Sequence, residues 1–174
     1  MGRADRVLSA NHCAPGQALV LGCCVEGTMR ADFPFFPSFV ERGDRLAGDV
    51  RLLADLATAG AAVAAKDVSM AGLVGSLAML LEPGRLGVEV DLDLLPVPAG
   101  VALDAWLGCF PCYAFLLATP AEQVDACLAG FTDRGLTAQA LGVLDDSGQV
   151  RLRRGAQTAN VFDLHAQGVT NLRG

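Results

Sequence analysis

The stretch from Ala64 to Pro98, AAKDVSMAGLVGSLAMLLEPGRLGVEVDLDLLPVP, constrains the fold of this chain more than any other segment. Ala61–Ala65 reads as a short strand of small residues. A sharp Asp67-Val68-Ser69 turn follows it. The spacing predicts a helix over Met70–Leu81, with Ser69 as N-cap because its hydroxyl can accept from an orphan backbone N–H. Pro83-Gly84 ends that helix. Gly87–Leu92 alternates, with Val88, Val90 and Leu92 on one face, and Pro96 and Pro98 stop it. The segment is therefore one βαβ-like unit. Its helix carries an apolar ridge (Met70, Leu73, Leu77, Leu80) and a groove of small residues (Ala71, Gly72, Gly75, Ser76). Each helical glycine costs about 1 kcal/mol relative to alanine. Something must come close there, either a neighbouring element or a ligand.

The rest of the chain supplies matching elements. Ala18–Val25 is a continuous apolar run that suits a buried strand. The aromatic-proline segment within Thr28–Phe39 cannot be a regular helix. Its phenylalanines cover a core edge or, on a sharper reading, form a ligand-stacking loop. Glu41–Ala59 has helical spacing through Leu46, Val50, Leu53, Leu56 and Ala57, with Gly60 as the stop. Val101–Cys109 reads as a helix with Trp106 inside. Tyr113–Ala118 reads as a strand. Pro120 opens a helix to Arg134 with Thr119 as its cap. Thr137–Leu144 and Gln149–Leu152 flank Asp145-Asp146-Ser147-Gly148, a hairpin signal. From Ala156 the chain looks irregular, with an edge strand at Val161–Leu164. Helices alternate with strands early and a hairpin comes late. The expected class is α+β, a mixed sheet packed with helices. Residues 1–16 are a lead-in, 17–165 the domain and 166–174 a tail.

With 174 residues, 52% of them hydrophobic, the chain can bury a sizeable core. Its net charge of -6 argues against nucleic acid or an anionic membrane as partner. The longest apolar runs, Met70–Leu81 and Ala105–Ala118, are too short to span a bilayer. The first residues lack an apolar signal core, so a cytoplasmic protein is expected. Its six cysteines are then reduced packing residues.

Candidate chemistry centres on the turn. Asp67 could accept from a substrate hydroxyl or help hold Mg²⁺, or it could simply fix the turn through backbone N–H groups. Lys66, the only lysine among 13 basic residues, could contact phosphate as a point charge. Ser69 reads as a cap rather than a nucleophile, and Glu82 as a solvated helix end. Cys109-Phe110-Pro111-Cys112 is a CxxC. A redox or zinc role would need a reactive helix N-terminus or a second ligand pair, and the spacing of His12, Cys13, Cys23 and Cys24 supplies none. No metal site is expected. His165 and His12 have no partner that suggests catalysis. No P-loop or GxGxxG is present.

Lys66-Asp67-Val68-Ser69, Gly72-Leu73, Gly75, Leu77, Glu82 and the GVEVDLDLLPVP strand resemble the C-terminal domain of the aminoimidazole ribonucleotide (AIR) synthase superfamily. That superfamily includes selenophosphate synthetase and thiamine-monophosphate kinase. Asp44–Leu164 as a whole resembles its AIR synthase-related branch. The resemblance implies an ATP- and Mg²⁺-dependent enzyme of two domains. In such an enzyme the C-terminal domain closes on the cleft with its glycine-bearing turn near substrate or nucleotide phosphates. It implies Lys66, Asp67, Ser69, Gly72 and Gly75 as phosphate- or substrate-binding residues, and leaves the catalytic residues unassigned. This chain departs from the pattern in two ways. No Gly-Asp-Asp-Ala-like segment precedes the signature, and Met70-Ala71-Gly72 stands where AIR synthase has successive glycines. The expectation is a C-terminal lobe that binds no cofactor tightly alone. It would act with an N-terminal ATP-binding domain or a homologous subunit, or as a homodimer. The alternatives are a non-catalytic binding or scaffold module of the same fold, and a CxxC thiol-redox protein.

Overall fold

The computed structural model describes residues 7–170. A seven-stranded mixed sheet runs through its middle, in the order β3-β6-β1-β7-β4-β8-β9. Its strands are β1 (Ala18–Cys23), β3 (Ala64–Asp67), β4 (Gly87–Asp91), β6 (Ala114–Thr119), β7 (Thr137–Asp145), β8 (Gln149–Arg154) and β9 (Gln157–Asp163). A separate two-stranded parallel pair joins β2 (Phe35–Phe36) to β5 (Phe110–Pro111). Central β1 is buried along its whole length, which explains its unbroken apolar sequence.

Helices cover both faces. Leu19 and Leu21 of β1, Leu116 of β6 and Val88 and Val90 of β4 pack with α3 (Gly72–Leu81) and with Trp106 of α4 (Leu103–Gly108). On the other face Val20 and Leu117 meet Leu52 and Leu56 of α2 (Leu46–Ala59) and Cys127 and Phe131 of α5 (Val124–Thr132). The result is the α+β class, a mixed sheet between helical layers.

The βαβ-like unit exists, but as a wide crossover. β3 lies at the sheet edge, and β6, β1 and β7 fill the space between it and β4. The expected hairpin at residues 137–152 is corrected too. β4 inserts between β7 and β8, antiparallel to the first and parallel to the second. The Asp-Asp-Ser-Gly turn therefore spans a gap one strand wide. The true late hairpin is β8–β9, so the segment after Ala156 is a full edge strand rather than irregular chain.

Residues 39–59 are not one helix. α1 (Phe39–Arg42) gives way to a 3-10 turn at Gly43–Arg45 before α2 begins, and Gly60 ends α2 in the left-handed region, as expected. The buried stripe of α2 is Asp49, Leu52, Leu56 and Ala57, whereas Val50 is 63% exposed. The first strand of the unit starts at Ala64, later than expected. Thr119 makes no capping bond among the described residues, and its hydroxyl instead lies against the Cys127 thiol. Glu82 is no free helix end. Its carboxylate accepts from the Val169 and Thr170 backbone N–H groups, at 2.8 and 3.0 Å, and so ties down the segment after β9.

Candidate functional site

β3 delivers Lys66 and Asp67 to the end of the edge strand, where Lys66 pairs with Leu116 and Asp67 with Phe115. The Lys66 ammonium donates to Asp67 Oδ1 at 2.5 Å, to the Asp67 carbonyl at 2.9 Å and to Ser69 Oγ at 3.5 Å. The Asp67 side chain is 60% exposed. One exposed carboxylate, with a partly buried ammonium and a partly buried hydroxyl behind it, therefore sits within a single turn. Such a group can offer a point charge to a phosphate, and a carboxylate to Mg²⁺.

Ser69 is not the helix cap. The chain makes an extra turn through Met70 and Ala71, and α3 starts at Gly72 with no side-chain cap among the described residues. The Ser69 N–H donates to the hydroxyl of buried Ser76 at 3.0 Å, the reverse of the expected capping direction. The Val68 N–H donates to the Ala114 carbonyl and the Gly72 N–H to the Ser69 carbonyl. Three amides of the turn are thus engaged inside the protein. Met70 leaves the ridge and is 75% exposed, while Leu73, Leu77 and Leu80 are buried as expected.

Gly72 has φ +68, and a Cβ there would lie 2.5 Å from the Leu107 carbonyl oxygen. What approaches this glycine is the end of α4. Gly75 is half-buried, and a Cβ on it would meet the Ala71 side chain. The structure therefore brings Lys66, Asp67 and Ser69 into direct contact and places Gly72 and Gly75 on the adjoining helix. A separate cleft of about 400 Å³ is lined by Met29–Pro34 with Asp104, Ala105 and Gly108, and none of the five residues borders it.

The charged centre missed in the sequence lies on the opposite sheet face. Arg42 donates to both carboxylate oxygens of Asp49, at 2.7 and 2.9 Å, and to the carbonyls of Arg134 and Gly135. Arg134 Nε adds a bond to Asp49 at 3.0 Å, and the Tyr113 hydroxyl donates to the Asp49 carbonyl at 2.7 Å. Arg42 and Asp49 side chains are fully buried. Burial pushes the Asp49 carboxyl up, but the two guanidinium groups outweigh it and hold the group below its ordinary value. A signal was present: Asp49 falls three residues before Leu52 and seven before Leu56, on the apolar stripe itself.

All six cysteines are free. Cys109 is buried, and that burial pushes its thiol up to about 11. Cys112 does not face it through a described bond; its sulfur instead contacts Ser38. Among the described residues no three or more His, Cys, Asp or Glu groups converge as a metal site. No described helix is long and apolar enough to cross a membrane.

A mixed sheet sandwiched by helices, with a charged turn between an edge strand and a glycine-started helix, defines the class: a C-terminal lobe of AIR synthase type. The family model "AIR synthase related protein, C-terminal domain" matches residues 25–155, and the chain belongs to that family. An uncharacterised Synechocystis protein is 31% identical over 176 residues, spanning all of this chain and 55% of that protein. The fold is similar to that of Thermotoga maritima PurL complexed with ATP, at TM-score 0.74 and 17% identity, over 97% of this chain and 28% of that one. It is also similar to hydrogenase maturation protein HypE in complex with ATP, at TM-score 0.66 and 18% identity, over 92% of this chain and 54% of that one. At such identities the likeness concerns the fold. The chain spans about half the length of the curated relatives it matches.

Proposed function

We propose that residues 17–165 act as the C-terminal lobe of an ATP-dependent AIR synthase-related enzyme. Lys66, Asp67, Ser69, Gly72 and Gly75 border the phosphates of its substrate or nucleotide. The observation that supports this reading is the bonded Lys66–Asp67–Ser69 cluster, with the Asp67 carboxylate exposed, inside the family-matched region. In the complete enzyme ATP would supply the activating phosphoryl group and Mg²⁺ would offset the charge on its phosphates. Lys66 offers its ammonium to phosphate oxygens, and Asp67 orients that ammonium or turns its carboxylate to Mg²⁺. With one cation and three turn amides already engaged, the turn alone has too few donors for a tight phosphate nest. A partner must therefore complete the site, either an N-terminal ATP-binding domain or a homologous subunit. A cytoplasmic setting agrees with six free cysteines.

ATP hydrolysis is the test, measured for the chain alone and mixed with an AIR synthase-type ATP-binding half encoded beside it. The expected result is activity only on mixing, reduced by Lys66→Ala. No gain on mixing would overturn the reading. The engaged amides of Val68, Ser69 and Gly72 favour one second reading, a non-catalytic binding or scaffold module with the same fold. That module would give no hydrolysis in any mixture.

A further inference from the structure

The two edges of the seven-stranded sheet are finished differently. β3 closes one edge with four residues, two of them the charged Lys66 and Asp67. A short strand that carries lysine is one way in which a sheet edge discourages a further strand. β9 closes the other edge with seven residues, Gln157–Asp163, and among the described residues only β8 pairs with it. Gln157–Val161 are all exposed. From Gln157 to Phe162 the strand holds no charge and no proline. The register shift at Val150 and Arg151 leaves Gln157–Asn160 in regular pairing with β8. The outward backbone N–H and C=O groups of such a strand are a template for one more strand.

We propose that β9 pairs antiparallel with β9 of a second copy of this chain, which joins two seven-stranded sheets into one. The charges at the ends of the strand favour this partner. Asp163 ends β9, and its Oδ1 accepts from the His165 and Ala166 N–H groups at 3.0 Å. Arg154, the last residue of β8, stands opposite Gln157 at the start of β9. It is exposed and forms no ion pair among the described residues. Antiparallel pairing about a two-fold axis brings Asp163 of each copy to Arg154 of the other. Parallel pairing would set each of these charges against its own copy. The neutral middle of the strand, Thr158-Ala159-Asn160, meets its copy at the axis with no charge to desolvate. One strand offers less than the about 1,600 Å² of a standard interface, so the dimer is weak and reversible. The phosphate turn follows β3 at the opposite edge, and the pairing leaves it open.

Sedimentation equilibrium of the full chain, with amide hydrogen exchange at low and high concentration, tests this. The expected result is a reversible monomer–dimer equilibrium with Kd on the order of 100 µM. Exchange in residues 157–163 should slow as the dimer forms. Thr158→Lys sets like charges together near the axis and should weaken association at least about tenfold. Arg154→Glu removes two exposed ion pairs per dimer and should weaken it about fivefold. Both positions are exposed, so the circular dichroism of each variant should match that of wild type. A wild-type chain that stays monomeric at millimolar concentration would overturn the pairing. So would slowed exchange confined to residues outside β9, or a dimer indifferent to Thr158→Lys.

Discussion

The two faces of the sheet are built on different physics. The face covered by α3 and α4 is an aliphatic core with Trp106 edge-on to Phe36, while the face covered by α2 and α5 is closed by a buried ion network around Asp49. The first face gains its stability from apolar area and carries the charged turn at its margin. The second depends on geometry, because a desolvated ion pair stabilises only when both partners are in place. The face that holds the candidate site thus loses stability in step with the apolar volume removed, while the other is brittle to the loss of a single charge.

The largest expected effect is on the brittle face. Asp49→Ala leaves Arg42 buried without its partner and should cost about 3–5 kcal/mol; a chemical-denaturation midpoint close to wild type would break the contrast. The same group gives a pH signature. The folded-state Asp49 carboxyl is held below its ordinary value of 3.8, so its contribution is complete above that value and is lost as pH falls through the lower, folded one. The Tm gap between wild type and Asp49→Asn should be full at neutral pH and shrink progressively in acid.

On the aliphatic face Leu77→Ala should cost about 2–5 kcal/mol through lost burial and a residual cavity, with no comparable pH dependence. Gly72→Ala comes next, at about 1–3 kcal/mol, because it combines a positive φ with the facing Leu107 carbonyl. An unchanged Tm for Gly72→Ala would mean that α4 yields there. The smallest effect is Val50→Thr, within about 0.5 kcal/mol, since this residue points to solvent. A large loss would restore Val50 to the core and displace Asp49 from it.

The same division explains how much could be read from the chain. β1, β4, β6 and α3 follow from apolar period and length, and each appears close to its expected bounds. The pairing of β7 with β4 did not follow, because a turn signal reports that the chain reverses and says nothing of what enters the gap. The helical spacing of Leu46, Val50 and Leu53 places Val50 inward, whereas the arrival of Arg42 and Arg134 makes Asp49, a residue type normally solvated, the interior one. At the candidate site, the sequence located Lys66, Asp67 and Ser69 in one turn. It missed the direction of the Ser69–Ser76 bond, which depends on the extra turn through Met70 and Ala71, and the approach of Leu107 to Gly72, a long-range fact of packing.

The phosphate role of the turn is tested most directly by amide chemical shifts of the isotope-labelled chain, titrated with Mg²⁺-ATP and, separately, with pyrophosphate. Weak binding should move the amides of residues 66–72 together, and Lys66→Ala should abolish the movement. Shifts confined to the cleft lined by Met29–Pro34, or none at saturating ligand, would contradict a phosphate-facing role for Lys66 and Asp67.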